Sequence, residues 1–363
     1  MRIVVRGIGV VGAFGCGIAR LSEALQQGPA GRVGLALTVG RELREIPVLR
    51  ADTTPLEAFV PARSLRRLDH YSRLALLASH LALADAGPDT VNPDRLGVVV
   101  ATGHGATGNA FTHLRMFLRD GDACASPTHF ANSLHSSAAS SISMMLRATG
   151  PNLTVSQLDL SVSCAVLTAR QWLLEGRVEH VLCGALDEMS ELMGYLWYRQ
   201  RGMPTSPAMT PLRTNAETAV PAEGAAFVLL SRDERGAEAY CTIENVDTGG
   251  AAGSRPCSHP SDLLVLAADG RLDSGPQYAA RAAHARVACY SPLYGSTPAG
   301  PAFDVAAAAL ILRHGRVFGS PGGEACDFPA TVARAGEPFG GSAIDCLTLT
   351  PDGGYGLITA GRR

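Results

Sequence analysis

Seven short apolar runs, at 3–11, 97–101, 153–157, 180–183, 225–230, 288–290 and 343–349, alternate with stretches of helical periodicity, and that alternation restricts the chain to very few folds. Runs this apolar suit strands covered on both faces, which in turn require helices to cover them. The helical pattern is clearest at 72–86, where Leu74, Leu77, Ala78, Leu81 and Ala82 recur at three and four residues, and at 162–175, where Val166, Ala169, Trp172 and Leu173 do the same. Each of these segments ends on a glycine, Gly87 or Gly176, as helix ends prefer. A layered α/β architecture follows. With 363 residues, 46% of them hydrophobic and 18% charged, the chain can bury the core of one large unit or of two closely packed halves. The polar stretch 231–239 is read as the joint, which divides the chain into 1–236 and 237–363, and a second long strand begins near Cys241.

The formal net charge of −2 comes with no block of like charges, so neither nucleic acid nor an anionic membrane surface is an expected partner. No apolar run reaches the roughly 18 residues of a membrane span, and the opening residues read as a strand and not as a cleavable signal, so a cytoplasmic protein is expected. Nine cysteines are scattered without a CxxC pair and are read as free thiols, mostly buried. His104, His113, His129 and His135 follow no metal-ligand spacing, and neither a metal nor another cofactor is expected. The glycine- and proline-rich segments 249–260 and 319–323 are read as surface loops. All 31 basic residues are arginine, which excludes chemistry that needs a lysine ammonium.

Six segments, in order, resemble the β-ketoacyl synthase branch of the thiolase fold. They are Val4 to Val11 with its glycines, Arg67 to Ala75 continuing into Ala82 to Gly87, Gly97 to Gly105, Ser126 to Ser133, Gly150-Pro151-Asn152, and Val220 to Ala226 with its Glu223-Gly224 pair. The resemblance implies a thiolase-like αβαβα fold built from two similar halves. It also implies a site with a cysteine nucleophile at a strand-to-helix turn, where the helix N-terminus stabilises a thiolate and its N–H groups serve a thioester oxyanion.

That site is emptied here. The family's spacing, counted forward from Gly150 or back from Gly176, puts the nucleophile at Asp159. A carboxylate there is read first as a cap of the following helix, and Cys164, five residues on, as a structural thiol and not a displaced nucleophile. The family's two histidines, in HGTGT and GHxxGAAG motifs, correspond by the same resemblance to Asp269 and Gly295, and the phenylalanine of its GFGG gate to Asp352. An aspartate repels a developing enolate and a glycine offers no donor. Together with the missing lysine, five features of the active site are gone.

A readable scaffold around an emptied site resembles the chain-length-factor subgroup, as does the run Tyr294 to Gly300 followed by Pro301-Ala302-Phe303-Asp304-Val305-Ala306. The resemblance implies a non-catalytic subunit that forms a heterodimer with an active ketosynthase, meets an acyl carrier protein, and shapes the acyl tunnel of type II polyketide or polyene synthesis. It places Ala106, Thr107, Asn109, Phe111, Phe130 and Asn132 at the tunnel or interface, with both phenylalanines open to a plain core reading. Two alternatives stand beside it. One is a decarboxylase or acyltransferase with a non-standard site; the other is a stand-alone carrier-binding homodimer.

Overall fold

The computed structural model describes residues 2–29, 31–87, 91–204, 206, 208–233, 238–250 and 262–363. Its strands are β1 (Ile3–Gly12), β2 (Gly15–Cys16), β3 (Val33–Val39), β4 (Glu42–Val48), β5 (Leu96–Ala101), β6 (Asn152–Val155), β7 (His180–Asp187), β8 (Gly224–Arg232), β9 (Cys241–Gly249), β10 (Leu263–Leu266), β11 (Arg286–Ala288), β12 (Thr331–Val332), β13 (Ala343–Leu349) and β14 (Tyr355–Gly361). One hydrogen-bonded sheet takes in all of them except the hairpin β3–β4.

The order of strands repeats. On one side it runs β6-β5-β7-β8-β1, and on the other β11-β10-β13-β14-β9. Numbered by sequence within each half, both read third, second, fourth, fifth, first. The senses repeat as well, with two parallel pairings at the outer end and two antiparallel ones at the inner end. β1 and β9 meet antiparallel where the halves join. The boundary expected at 236–237 lies outside the described residues, as do residues 234–237 of the 231–239 joint, but Ser231 and Arg232 still belong to β8.

The apolar runs make strands because both faces are covered. All eight residues of β7 are buried, and nine of the ten in β1. The helices Ser161–Leu174 and Gly300–His314 each pack against strands of both halves of the sheet. Thirteen of the fifteen residues of the second helix are buried, so it is a central layer and not a surface helix. The glycines of β1 serve a close approach to the helix His70–Ala86: a Cβ at Gly9 would lie 1.9 Å from the Ala78 carbonyl oxygen.

The structure differs from the sequence reading in several places. β11 starts earlier than expected and ends at Ala288, because Tyr290 already leads into the short helix Ser291–Tyr294. Segment 319–323 is half-buried at the edge of a cleft of about 700 Å³ and not a free surface loop. Of the loop expected at 249–260, Gly249 ends β9 and pairs with Tyr355, and the residues beyond Gly250 lie outside the described residues. Among the described residues, no helix is long and apolar enough to cross a membrane.

Candidate functional site

β6 leads through Ser156 and Gln157 into a single 3-10 turn, Leu158–Leu160, and then into the helix Ser161–Leu174. Asp159 therefore stands at a strand-to-helix turn. It does not cap the helix, however: the cap residue is Leu160, with no side-chain cap bond, and the carboxylate turns instead to a cation. Arg271 Nη2 lies 3.0 Å from Asp159 Oδ1, and Arg271 Nε lies 2.8 Å from Asp269 Oδ2. The two aspartates are thus joined through one guanidinium, and Ser296 donates its hydroxyl proton to Asp269 from the other side.

All three charged side chains are nearly enclosed, with 14% exposure at Asp159, 15% at Arg271 and 9% at Asp269. Burial pushes the Asp159 carboxyl above the usual carboxylate range, against the pull of Arg271. Burial also opposes the Arg271 charge, but Asp269 and Asp159 outweigh it and hold the guanidinium above its ordinary range. Two carboxylates against one cation leave the cluster negative. Neither a thiol nor an imidazole belongs to the cluster.

The cluster forms part of the lining of a cleft of about 360 Å³. Met193, Leu196 and Trp197, on the helix Glu191–Arg201, give it an apolar wall, while His104 and Glu188 line it elsewhere. Burial raises the Glu188 carboxyl to about 7, and its Oε1 accepts the Gly108 N–H at 2.6 Å. Asp187 accepts from the Thr102 hydroxyl at 2.9 Å and from the Gly103 and His104 N–H groups, which fixes the glycine loop after β5. Glu223, of the glutamate-glycine pair, is likewise structural: it accepts from the Ala51 and Met189 N–H groups and meets His70 Nε2 at 3.0 Å.

Position 295 cannot present a side chain. Gly295 has φ +76°, and a Cβ there would stand 2.3 Å from Ala222 Cβ and 2.9 Å from the Val220 carbonyl oxygen. The side chain that this loop offers to Asp269 is that of Ser296, one residue on, which the spacing argument passed over. Asp352 is exposed in the β13–β14 turn, where it accepts from the Thr350 hydroxyl, and it is not among the residues lining the cleft. In the same turn, Gly354 packs toward Leu160, with a virtual Cβ 3.4 Å from Leu160 Cδ1. The Cys164 thiol is half-buried, donates to Gln157 Oε1 at 3.1 Å, and is pushed above the ordinary thiol range by burial.

The six tunnel or interface candidates fall into two environments. Ala106 is buried, and Thr107 bonds with Ser190 at 2.8 Å. Asn109 donates through Nδ2 to Asp69 and accepts through Oδ1 from His129 Nδ1 at 3.0 Å, while Asn132 donates to the Arg67 carbonyl at 3.4 Å. Phe111 lines a separate cavity of about 330 Å³ with Leu37, Leu192 and Tyr195. Phe130 is 56% exposed, so it is not a core aromatic; its ring lies 5.5 Å from that of His113. Neither phenylalanine lines the cleft over Asp159. Among the described residues, no three His, Cys, Asp or Glu side chains gather as metal ligands would.

Residues 3–236 match the family model "Beta-ketoacyl synthase, N-terminal domain". A Streptomyces halstedii protein named as polyketide β-ketoacyl synthase 1 is 30% identical over 69% of this chain, which spans 64% of that relative's length. The solved ishigamide ketosynthase/chain length factor superposes with a TM-score of 0.82 at 18% identity, over 100% of this chain and 99% of that one. A ketosynthase in complex with its chain length factor from Xenorhabdus doucetiae gives 0.78 at 14% identity, over 100% and 98%. At these identities the two structures speak for the thiolase-like fold.

Proposed function

The chain belongs to the β-ketoacyl synthase family, and from that premise we propose that it is a non-catalytic subunit of the chain-length-factor type, working in the cytoplasm beside an active ketosynthase. The observation that carries this reading is the Asp159–Arg271–Asp269 cluster. Where the family's resemblance calls for a thiol and an imidazole, this chain has an ion-paired cluster with an excess negative charge. Such a cluster locks the turn to the opposite half and turns away a malonyl carboxylate.

The surface supports a partner. β6 is an edge strand. Its Leu153 is exposed, as are Phe117 and Leu118 on the helix Thr107–Asp120 and Met144 on the helix Ser137–Leu146. Unpaired strand edges and exposed apolar groups of this kind are covered in assemblies. On this reading a catalytic ketosynthase covers them, an acyl carrier protein serves the pair, and Ala106, Thr107, Asn109, Phe111, Phe130 and Asn132 lie at or near the shared tunnel. The division into halves at 1–236 and 237–363 belongs to the same proposal.

Co-expression with a cysteine-bearing ketosynthase, followed by size-exclusion chromatography and product analysis with malonyl-loaded carrier protein, tests the reading. A one-to-one complex whose product length depends on this chain supports it. A stable homodimer that ignores the partner, or a chain that decarboxylates malonyl carrier protein alone, overturns it.

A further inference from the structure

Leu158 is the unusual residue of the turn. Only three non-glycine residues among those described have positive φ, and Leu158 is one of them, at +47°. Arg147, at +54°, is explained as the C-cap of the helix Ser137–Leu146. Leu158 caps nothing. A leucine in the left-handed region is disfavoured by contact between its Cβ and the backbone, so the surroundings must hold it there.

They do so from two sides. The fully buried Ser161 hydroxyl accepts the Gln157 N–H at 2.7 Å and lies 2.7 Å from the Leu158 carbonyl and 3.0 Å from the Thr102 carbonyl, to either of which it donates. The Cys164 thiol holds Gln157 Oε1, and Arg271 holds Asp159 on the following residue. All this fixes a turn that activates no nucleophile. What it does is present the Leu158 side chain, which is 56% exposed.

The direction of that presentation is specific. Leu158 lines the mouth of the cleft, together with Asp159 and the apolar wall of Met193, Leu196 and Trp197. It also stands three residues beyond the end of the edge strand β6, which carries exposed Leu153. An apolar residue meant only to contact a partner's surface needs no strained turn, since the helix Thr107–Asp120 offers Phe117 and Leu118 without strain. A residue meant to stop an apolar chain at the cleft mouth must be aimed into it.

We propose that Leu158 is a chain-length-determining residue, an end wall that contacts the partner's growing acyl chain and bars it from the cleft over Asp159. This rests on the chain-length-factor reading above. Leu158→Gly suits the backbone, because glycine adopts positive φ freely, and Leu158→Phe enlarges the wall at the same place. With wild-type complex, malonyl-loaded carrier protein and mass-spectrometric product analysis, Leu158→Gly is expected to lengthen the main product by at least one two-carbon unit, and Leu158→Phe to shorten it. The Gly variant is also expected to keep or raise the unfolding midpoint of the isolated chain, since it releases strain. An unchanged product distribution in both variants, from complexes that assemble and turn over normally, overturns this inference alone. A wild-type chain that forms no complex overturns the parent reading and, with it, this one.

Discussion

Replacing Arg271 with methionine removes the one cation that faces both Asp159 and Asp269 while keeping most of the side-chain volume. The pairs are nearly enclosed, at 9% to 15% exposure, so solvent does little to screen the two carboxylates left facing each other. Breaking a buried ion pair from one side costs about 3–5 kcal/mol, because a charge is left without compensation. The cost depends on pH in a stated direction. Burial already raises Asp159, and losing Arg271 raises it further, so its folded-state value moves further above its unfolded-state value. For such a group the stabilising contribution is full below the unfolded value and is lost as pH rises through the folded one. The deficit of Arg271→Met relative to wild type is therefore small near pH 4 and grows toward pH 8. Urea unfolding across that range measures it. The triple variant Arg271→Met, Asp159→Asn, Asp269→Asn, with no charge left to bury, is expected to recover most of the loss at pH 8. A deficit below about 1 kcal/mol that does not change with pH would refute the reasoning, because it would mean that the cluster is solvated and structurally idle.

Two further perturbations test the scaffold. Burial raises the Asp304 carboxyl to about 8, and although Tyr294 donates a hydrogen bond to Oδ1, Oδ2 has no hydrogen-bond partner. Its contribution is present at low pH and lost as pH rises from its ordinary 3.8 through about 8, so wild type loses stability relative to Asp304→Asn by up to about 1.4 kcal/mol per pH unit over that window. Parallel pH-stability curves for the two proteins would show Asp304 to be solvated. Gly295→Ala is expected to cost about 3 kcal/mol or more, from the left-handed backbone together with a Cβ placed 2.3 Å from Ala222 Cβ, as read by denaturant unfolding. A loss under about 1 kcal/mol would mean that the loop adapts and that position 295 could carry a side chain.

Much of the fold was legible because its strands are buried on both faces and so stand out as apolar runs, as β7 and β13 do. The hairpin β3–β4 did not stand out. Its residues are mostly exposed, and its core consists of little more than Leu37, Ile46 and Val48 against the helix Glu191–Arg201. At the site, spacing along one segment located Asp159 at its turn, since the strand-to-helix connection has a fixed length. Spacing could not show what the Asp159 carboxylate binds, because Arg271 arrives from the other half, 112 residues away. One signal was available: two acids at adjacent positions of an enclosed site require a cation, and Arg271 is the only one in the segment 268–272. Gly295 and Ser296 illustrate the same limit. A motif alignment is indifferent to a shift of one residue, while the backbone, with φ +76° at Gly295, decides which of the two can carry a side chain.

The central claim is that this chain takes no acyl group. Intact-mass spectrometry of the purified chain, incubated with acyl-loaded or malonyl-loaded carrier protein and then together with a cysteine-bearing ketosynthase partner, measures this directly. The account predicts an unmodified mass for this chain in every mixture and an acyl adduct on the partner alone; a covalent adduct on Asp159, Cys164 or any other residue of this chain would contradict it.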